Sequence, residues 1–111
     1  MSASRRTVLV VLITTSNRRE ARRIAGVLVK NNLAACATVV TSVTSIFRWK
    51  GKVQTSREAL LIVKTSVRRY PMLERFVRSM HSYEVPEIIA LSVQQGFRPY
   101  LEWVQKETAT N

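Results

Sequence analysis

Residues 79–90 read SMHSYEVPEIIA and hold the only histidine of the chain, His81, close to a tyrosine and two glutamates. The only cysteine, Cys36, lies earlier, in an alanine-rich run. Thiolate ligands favour monovalent copper, and imidazole suits divalent copper and zinc. Cys36, His81 and Glu84 are therefore the candidate metal ligands. One chain offers too few of them for a closed four-ligand site, so such a site would be weak and open or shared between subunits.

Cys36 and His81 also have ordinary structural explanations. A cysteine in a strand-like run among alanines is commonly an inert core residue. A histidine at the C-terminal end of a helix is favoured there by the helix dipole. Both explanations stay open beside metal binding, for which copper is the predicted ion.

The signatures of several enzyme classes are missing from the sequence. It contains no GxxxxGK[ST], GxGxxG, CxxC or HExxH pattern. With one histidine and no aspartate, a Ser-His-Asp triad cannot be assembled from one chain. Cys36 and His81 could in principle form a catalytic pair of nucleophile and general base. The alanines around Cys36 favour instead a buried, unreactive thiol. We predict a protein without enzyme activity.

The run IFRWKGK at residues 46–52 places a tryptophan in a basic turn. A tryptophan at an exposed hairpin tip needs a cover, which a neighbouring subunit or a ligand would supply. Basic side chains around such a cleft suit an anionic small molecule. The residues of the predicted ligand cleft are Arg48, Trp49, Lys64 and Tyr83.

Hydrophobic periodicity predicts the elements that position these residues, and it places the apolar side chains Ala21, Ile24, Ala25 and Leu28 of the first helix on one stripe. The order is βαββαβ with a C-terminal helix, which predicts one α+β domain over residues 1–111, a ferredoxin-like split βαβ sandwich. Residues 1–6 are expected to be disordered. The predicted strands are residues 8–13, 34–48, 52–65 and 88–93; the helices run from a capping pair at Asn17 and Glu20 to residues 31–32, from Pro71 to about His81, and over residues 98–107.

The second and third strands form a hairpin that is long for so small a domain. A strand of about 14 residues spans roughly 45 Å, whereas a 100-residue domain has a radius of gyration of about 13 Å. The hairpin should therefore extend beyond its own domain. An overhanging arm with exposed edges pairs readily with another chain, which predicts an oligomer.

The chain is strongly basic, with 18 Lys and Arg against 7 Glu and a formal net charge of +11. Such a charge favours anionic partners, although it is equally compatible with a solvated surface that keeps the protein soluble. RNA-recognition domains share the predicted topology and stack bases on aromatic residues of their central strands. The strands VLVVLI and REALLIVKT carry no aromatic residue, so sequence-specific recognition of nucleic acid is not expected.

A cytoplasmic location is predicted. Residues 5–13 imitate a leader peptide, but the apolar run of residues 8–13 is shorter than the usual leader core of about 7–15 residues. No segment approaches the roughly 20 apolar residues of a membrane span. A single cysteine cannot form an internal disulfide, which is compatible with a reducing compartment.

Several runs closely resemble the CutA divalent-cation tolerance proteins. They are LAAC at 33–36, TSIFRWKGKV at 44–53, SYEVPEIIAL at 82–91, TTSNRREARRIA at 14–25 and YLEW at 100–103. The resemblance implies a homotrimer like that of PII signalling proteins, in which long hairpins extend the neighbouring sheets. It also implies a role in copper and heavy-metal tolerance. Ser82 departs from the family pattern, which usually has proline at that position.

Two functions follow from the residues and the resemblance together. The first is a non-enzymatic trimer of divalent-cation tolerance or metal response that binds copper, with Cys36 as the leading ligand. The alternative is a PII-like sensor that binds a small anionic ligand in a cleft between subunits. A scaffold for a membrane or signalling partner is a third, weaker option.

Overall fold

The computed structural model describes residues 7–109, so the expectation for residues 1–6 lies outside the described part. The predicted order of elements is confirmed, and the fold is α+β. The elements are β1 (Val8–Thr15), α1 (Arg18–Lys30), β2 (Cys36–Trp49), β3 (Lys52–Ser66), α2 (Tyr70–Met80), β4 (Ile88–Ser92) and α3 (Arg98–Glu107).

The four strands form one antiparallel sheet in the order β2-β3-β1-β4. This order and the βαββαβ connectivity make the ferredoxin-like arrangement that the sequence predicts. Strand ends differ from the prediction by one or two residues, since β1 continues to Thr15 and β2 begins at Cys36. Helix α3 has the predicted bounds.

Helices α1 and α2 pack on one face of the sheet. The apolar stripe predicted for α1 is buried there, together with Leu73 and Val77 of α2 and alternate residues of β1 and β3. Strand residues two apart point to the same face. One side of the sheet therefore carries the main core, whose largest fully buried side chains include Ile13, Ile24 and Leu61.

The opposite face of the sheet is only partly covered. Helix α3 packs Leu101 and Val104 against Val8 and Ala35 at one end. Beyond that end, Ile89 and Leu91 of the edge strand β4 are 49% and 54% exposed. They lie beside Leu12 and Val10 of β1, so the open face continues into the middle of the sheet.

The hairpin of β2 and β3 extends beyond the rest of the domain, as its length predicts. The molecule measures 49 × 25 × 22 Å, and the turn at its tip uses Lys50 and Gly51 with positive φ angles of 51° and 79°. A β-bulge that the sequence did not predict interrupts the pairing between Val40 and Val43, where Ser42 has a φ of 61°. Bulges bend the strand that carries them. This one lies opposite Ala59, the last residue of β3 that pairs with β1, and so at the point where the arm leaves the sheet.

No helix among residues 7–109 combines the length and apolar character needed to cross a membrane.

Candidate functional site

Glu20 joins the start of α1 to the loop that follows α2. The predicted capping pair is present, because Asn17 Oδ1 accepts a hydrogen bond from the Glu20 N–H at 2.8 Å. The Glu20 carboxylate then accepts bonds from the Ser16 N–H and hydroxyl, both at 2.9 Å. It accepts two more from the Ser82 N–H at 2.7 Å and the Ser82 hydroxyl at 3.1 Å.

The environment of Glu20 favours the ionised carboxylate. Burial by itself raises the pKa of Glu20, but the hydrogen bonds from Ser16 and Ser82 outweigh burial and hold the pKa below its usual value. The serine at position 82 is therefore a donor to a buried carboxylate. A proline there would have neither the N–H nor the hydroxyl.

His81 is fixed in one orientation at the end of α2, and its side chain is fully buried. Its Nε2 lies 2.7 Å from the Thr14 carbonyl oxygen, so Nε2–H donates. Its Nδ1 accepts a hydrogen bond from the Tyr83 N–H at 3.0 Å. Since Nδ1 carries no proton in this arrangement and its lone pair is occupied, neither ring nitrogen offers a free lone pair to a metal ion.

Tyr83 reaches across to β3, where its hydroxyl donates a hydrogen bond to Glu58 Oε2 at 2.6 Å. Glu58 is a buried carboxylate, 7% exposed. Burial and the neighbouring Glu58 raise the pKa of Tyr83 well above its usual value, so the phenol remains a donor at neutral pH. The loop of residues 81–86 is thus held by hydrogen bonds to two carboxylates, from Ser82 to Glu20 and from Tyr83 to Glu58.

A cavity of about 530 Å³ lies beside this loop and along the hairpin arm, from Trp49 next to the turn to Glu58; we call it the Tyr83 cavity. Three aromatic residues and two glutamates contribute to its wall, and no Lys or Arg of the described chain does. The lining residues are Phe47, Trp49, Gln54, Thr55, Ser56, Glu58, Ser82, Tyr83, Glu84 and Val85. An aromatic wall with carboxylates suits a cation or a hydrogen-bond donor.

The structure brings together Trp49, Tyr83 and Glu84 of the predicted site residues, which all line the Tyr83 cavity. Arg48 is not among the lining residues, and side-chain alternation along β2 points it away from the face that carries Trp49. Lys64 pairs in register with Cys36 near the far end of β3. The four residues of the predicted anionic cleft therefore do not meet within one chain.

Cys36 is separated from the other candidate metal ligands. In the sheet, Cys36 pairs with Lys64 of β3, and Lys64 pairs with Val10 of β1. Val10 lies four residues along β1 from Thr14, whose carbonyl contacts His81. Four residues of strand correspond to about 13 Å. In agreement, no three His, Cys, Asp or Glu side chains among residues 7–109 are grouped to hold a metal ion.

The nearest polar partner of Cys36 is Tyr100 on α3. The thiol and the phenol hydroxyl lie 3.5 Å apart, and Cys36 is partly exposed and free of any disulfide. The hydrogen bond with Cys36, together with burial, raises the pKa of Tyr100 to about 12. Tyr100 therefore stays protonated beside the sulfur at neutral pH.

The sequence did not predict Glu58 in the Tyr83 cavity or Tyr100 beside Cys36. Glu58 lies 25 positions from Tyr83 and Tyr100 lies 64 positions from Cys36, so only tertiary structure shows the contacts. One signal was available for Glu58. It is a lone carboxylate directly before the buried run ALLIV in a strand, and a buried carboxylate needs a hydrogen-bonding partner.

Comparison with known proteins decides the family. Residues 9–107 match the family model described as CutA1 divalent ion tolerance protein. The chain belongs to the CutA1 family. Apart from the first residue of β1, the match spans every strand, every helix and the whole Tyr83 cavity, so the family resemblance seen in the sequence is confirmed.

Members of the CutA1 family from distant organisms are similar to this chain. The divalent-cation tolerance protein CutA of Thermus thermophilus is 46% identical over 99 residues, which cover 89% of this chain and 96% of that protein. Human protein CutA is 45% identical over 101 residues, covering 91% of this chain and 56% of the human protein. The chain thus spans nearly all of the bacterial relative and little more than half of the human one.

A solved CutA1 structure confirms the fold. The divalent cation tolerance protein from Thermus thermophilus has a TM-score of 0.90 and 45% identity, with 92% of this chain and 99% of that chain covered. The ferredoxin-like arrangement with its long hairpin is therefore shared with the CutA1 fold.

Proposed function

We propose that this protein is a homotrimer that acts in divalent-cation tolerance or metal response and has no enzyme activity. The observation that carries the proposal is the match of residues 9–107 to the CutA1 family model. The relative from Thermus thermophilus, which is named for divalent-cation tolerance, is covered over almost its whole length. The cytoplasmic location expected from the sequence stays a prediction.

Two features of the fold support the trimer. One is the open apolar face of the sheet, with Ile89 and Leu91 half exposed on its edge strand. The other is the projecting hairpin, which carries Ile46 and Val53 at 71% and 65% exposure. Exposed apolar surface of this kind marks interaction sites, and an arm that leaves its own domain finds partners on a neighbour.

For copper, we propose Cys36 as the main ligand. Its thiol is partly exposed, and thiolate binds monovalent copper well. Because no three His, Cys, Asp or Glu side chains of residues 7–109 are grouped around it, the remaining ligands would come from another subunit or from solvent. His81 takes no part in the geometry described here, since both ring nitrogens already make hydrogen bonds. Glu84 belongs to the Tyr83 cavity and would make a separate, oxygen-based centre.

Native mass spectrometry with and without stoichiometric copper tests the proposal. We expect a trimer that gains about one copper per chain. Cys36→Ser should abolish the gain and leave the trimer intact, because Cys36 is partly exposed and its thiol contacts the hydroxyl of Tyr100, which a serine can also meet.

Two control variants make the copper result specific. Glu84→Gln should still bind copper if Cys36 is the main ligand. If Glu84→Gln loses copper binding and Cys36→Ser retains it, the copper site lies in the Tyr83 cavity. Tyr100→Phe keeps the ring but removes the neighbouring hydroxyl, and should keep most of the copper. A trimer whose mass ignores copper would contradict the metal site while leaving the fold unaffected.

The Tyr83 cavity favours a second candidate function, that of a sensor for a small ligand. The sequence suggested an anionic ligand, but the residues that line the cavity include Glu58 and Glu84 and no Lys or Arg. Charge complementarity within one chain therefore favours a ligand with an amine or another cationic group, held against Trp49 and Tyr83.

Tryptophan fluorescence distinguishes the two ligand classes. Trp103 packs near Tyr100, with ring centroids 5.5 Å apart, away from the Tyr83 cavity. Trp103→Phe therefore leaves Trp49 as the only reporter. We expect this variant to respond to members of a panel of organic amines and to lose the response when Glu84→Gln is added. A response restricted to phosphates and carboxylates would restore the anionic alternative, and no response to either panel would argue against the sensor.

A further inference from the structure

The outward face of α1 carries only positive charge. Its exposed residues include four arginines, Arg18, Arg19, Arg22 and Arg23, in the first two turns. The only carboxylate of the helix, Glu20, points inward, where Ser16 and Ser82 occupy it. The solvent side of α1 therefore has no acidic residue of its own to neutralise these charges.

Helix α2 runs antiparallel beside α1 and extends the positive surface. Arg23 Nη2 donates to the Met80 carbonyl at 3.0 Å, and Arg69 Nη2 donates to the Asn31 carbonyl at 3.2 Å, so opposite ends of the helices are joined. The exposed arginines of α2 are Arg75 and Arg78. We call these six residues the arginine face: Arg18, Arg19, Arg22, Arg23, Arg75 and Arg78.

Two carboxylates lie near the arginine face, Glu74 beside Arg75 and Arg78 and Glu58 beside Arg18, but within residues 7–109 neither forms an ion pair with these arginines. Arg18, Arg19 and Arg22 make no hydrogen bond or ion pair with any residue of 7–109. Apart from the contact of Glu20 with the His81 ring, whose Nδ1 carries no proton in this arrangement, no ion pair within 4 Å forms in that range. Like charges four residues apart destabilise a helix by roughly 0.2–0.5 kcal/mol per pair. The pairs Arg18–Arg22 and Arg19–Arg23 are therefore unfavourable for the helix by itself.

Gly26 lies in the same outward surface, one turn beyond these arginines. Glycine inside a helix costs about 1 kcal/mol relative to alanine. A Cβ at position 26 would meet no atom within 4 Å, so packing inside the chain does not require the glycine. Without a side chain, Gly26 lets the backbone of a bound partner approach the helix closely.

From these observations we propose that the arginine face binds the phosphate backbone of nucleic acid without reading its sequence. A guanidinium presents forked donors that match phosphate oxygens. Residues four apart on a helix are separated by a rise of about 6 Å, close to the axial rise of two phosphates along one strand of duplex DNA, about 3.4 Å each. Arginines without base-reading partners fix a protein on the backbone and carry no sequence information.

A duplex fits this surface better than a membrane does. Helices that lie in a membrane interface insert an apolar face. Here the apolar stripes of α1 and α2 are buried in the core, and the large apolar side chains left exposed on the two helices are Val29 and Met72. The arginine face also lies on the opposite side of the sheet from the open face assigned above to the trimer. Both surfaces can therefore be used at once.

Fluorescence anisotropy of a labelled duplex of about 20 base pairs and arbitrary sequence, titrated between about 50 and 200 mM salt, tests the proposal on the whole chain. The test variant carries Arg18→Gln, Arg19→Gln and Arg22→Gln. Glutamine has a helix propensity similar to that of arginine, and these side chains have no partners to lose within residues 7–109. The matched control carries Arg48→Gln, Lys50→Gln and Lys52→Gln at the hairpin tip, which removes the same net charge.

We expect the helix variant to lose at least tenfold in affinity at about 100 mM salt, with a salt slope smaller by about two to three, since each neutralised phosphate contributes about 0.9. The hairpin variant should lose less than threefold. If both variants lose the same affinity for the duplex, the effect comes from net charge alone, and the proposal that the arginine face is the binding site is wrong. The absence of duplex binding by the unmodified protein at the lowest salt concentration would also overturn it.

Vesicles of phosphatidylserine and phosphatidylcholine form the second arm of the experiment. The proposal is overturned in favour of a membrane surface if the helix variant loses vesicle binding while duplex binding is unchanged. Circular dichroism and native mass spectrometry check that each variant is folded and assembled. If the triple helix variant is not folded and assembled, the single variants Arg19→Gln on the helix and Arg48→Gln on the hairpin make the same comparison of duplex affinity, with one charge removed in each.

Discussion

Glu20→Ala should lower the free energy of unfolding by about 3 kcal/mol at neutral pH. The substitution keeps the cap bond from the backbone N–H of residue 20 to Asn17 Oδ1. It leaves the N–H groups of Ser16 and Ser82 without an acceptor, and hydrogen bonds to a charged group contribute about 1.5–3 kcal/mol each. Thermal unfolding at fixed chain concentration measures the effect, which for a domain of this size corresponds to a fall in Tm of more than about 10 °C.

Glu102→Ala is the matched control, because Glu102 is an exposed glutamate on α3. Its free energy of unfolding should stay within about 0.5 kcal/mol of the unmodified protein. Similar values for the two variants would show that the bonds from Ser16 and Ser82 contribute little to stability.

The Glu20 effect should depend on pH with a defined sign. The pKa of Glu20 is lowered in the folded protein. The carboxylate therefore stabilises the fold fully above its unfolded pKa, about 4.3, and this contribution is lost as the pH falls through the folded value. The difference in stability between the unmodified protein and Glu20→Ala should be constant near neutral pH and shrink as the pH falls below about 4.3 and through the lower folded pKa. A difference that stays constant over this fall in pH would mean that Glu20 acts through packing and not through its charge.

The elements that could be predicted from the sequence are those fixed by local patterns. Helix α1 was predicted together with its buried side because apolar residues recur every three or four positions from Ala21 to Leu28, and because Asn17 and Glu20 form a local cap. The hairpin followed from two β-branched runs around Lys50 and Gly51. The bulge after Val40 could not be predicted, since no glycine or proline marks it.

The candidate site was predicted less well, because its contacts are distant in sequence. Trp49 and Tyr83 were placed together by the prediction and do line one cavity. Lys64 lies far along β3 beside Cys36, so it does not join them within one chain, and the predicted cleft between subunits stays a prediction. A basic composition also suggested an anionic ligand, whereas the cavity wall contains Glu58. Net charge describes the whole surface and does not predict the charge of one cavity.

The open face of the sheet leads to the second large effect, that of Leu91→Lys on assembly. Leu91 is 54% exposed within one chain and pairs with Val10 on β1. A lysine there should therefore leave the folded chain stable. In the proposed trimer the same side chain would be covered by another subunit, and an unpaired buried charge costs several kcal/mol. We expect a loss of at least a hundredfold in the association constant, seen as a shift from trimer toward monomer at a chain concentration where the unmodified protein stays trimeric.

Light scattering coupled to size-exclusion chromatography measures the assembly state, with circular dichroism confirming the fold. Val29→Lys is the control. Val29 is an apolar side chain that is 42% exposed on α1, on the side of the sheet that the proposed trimer leaves free. It should remain trimeric, so the comparison separates burial at an interface from the addition of one positive charge. Dissociation of both variants would assign the effect to charge repulsion between +11 chains, and a trimeric Leu91→Lys would show that the subunits associate through another surface.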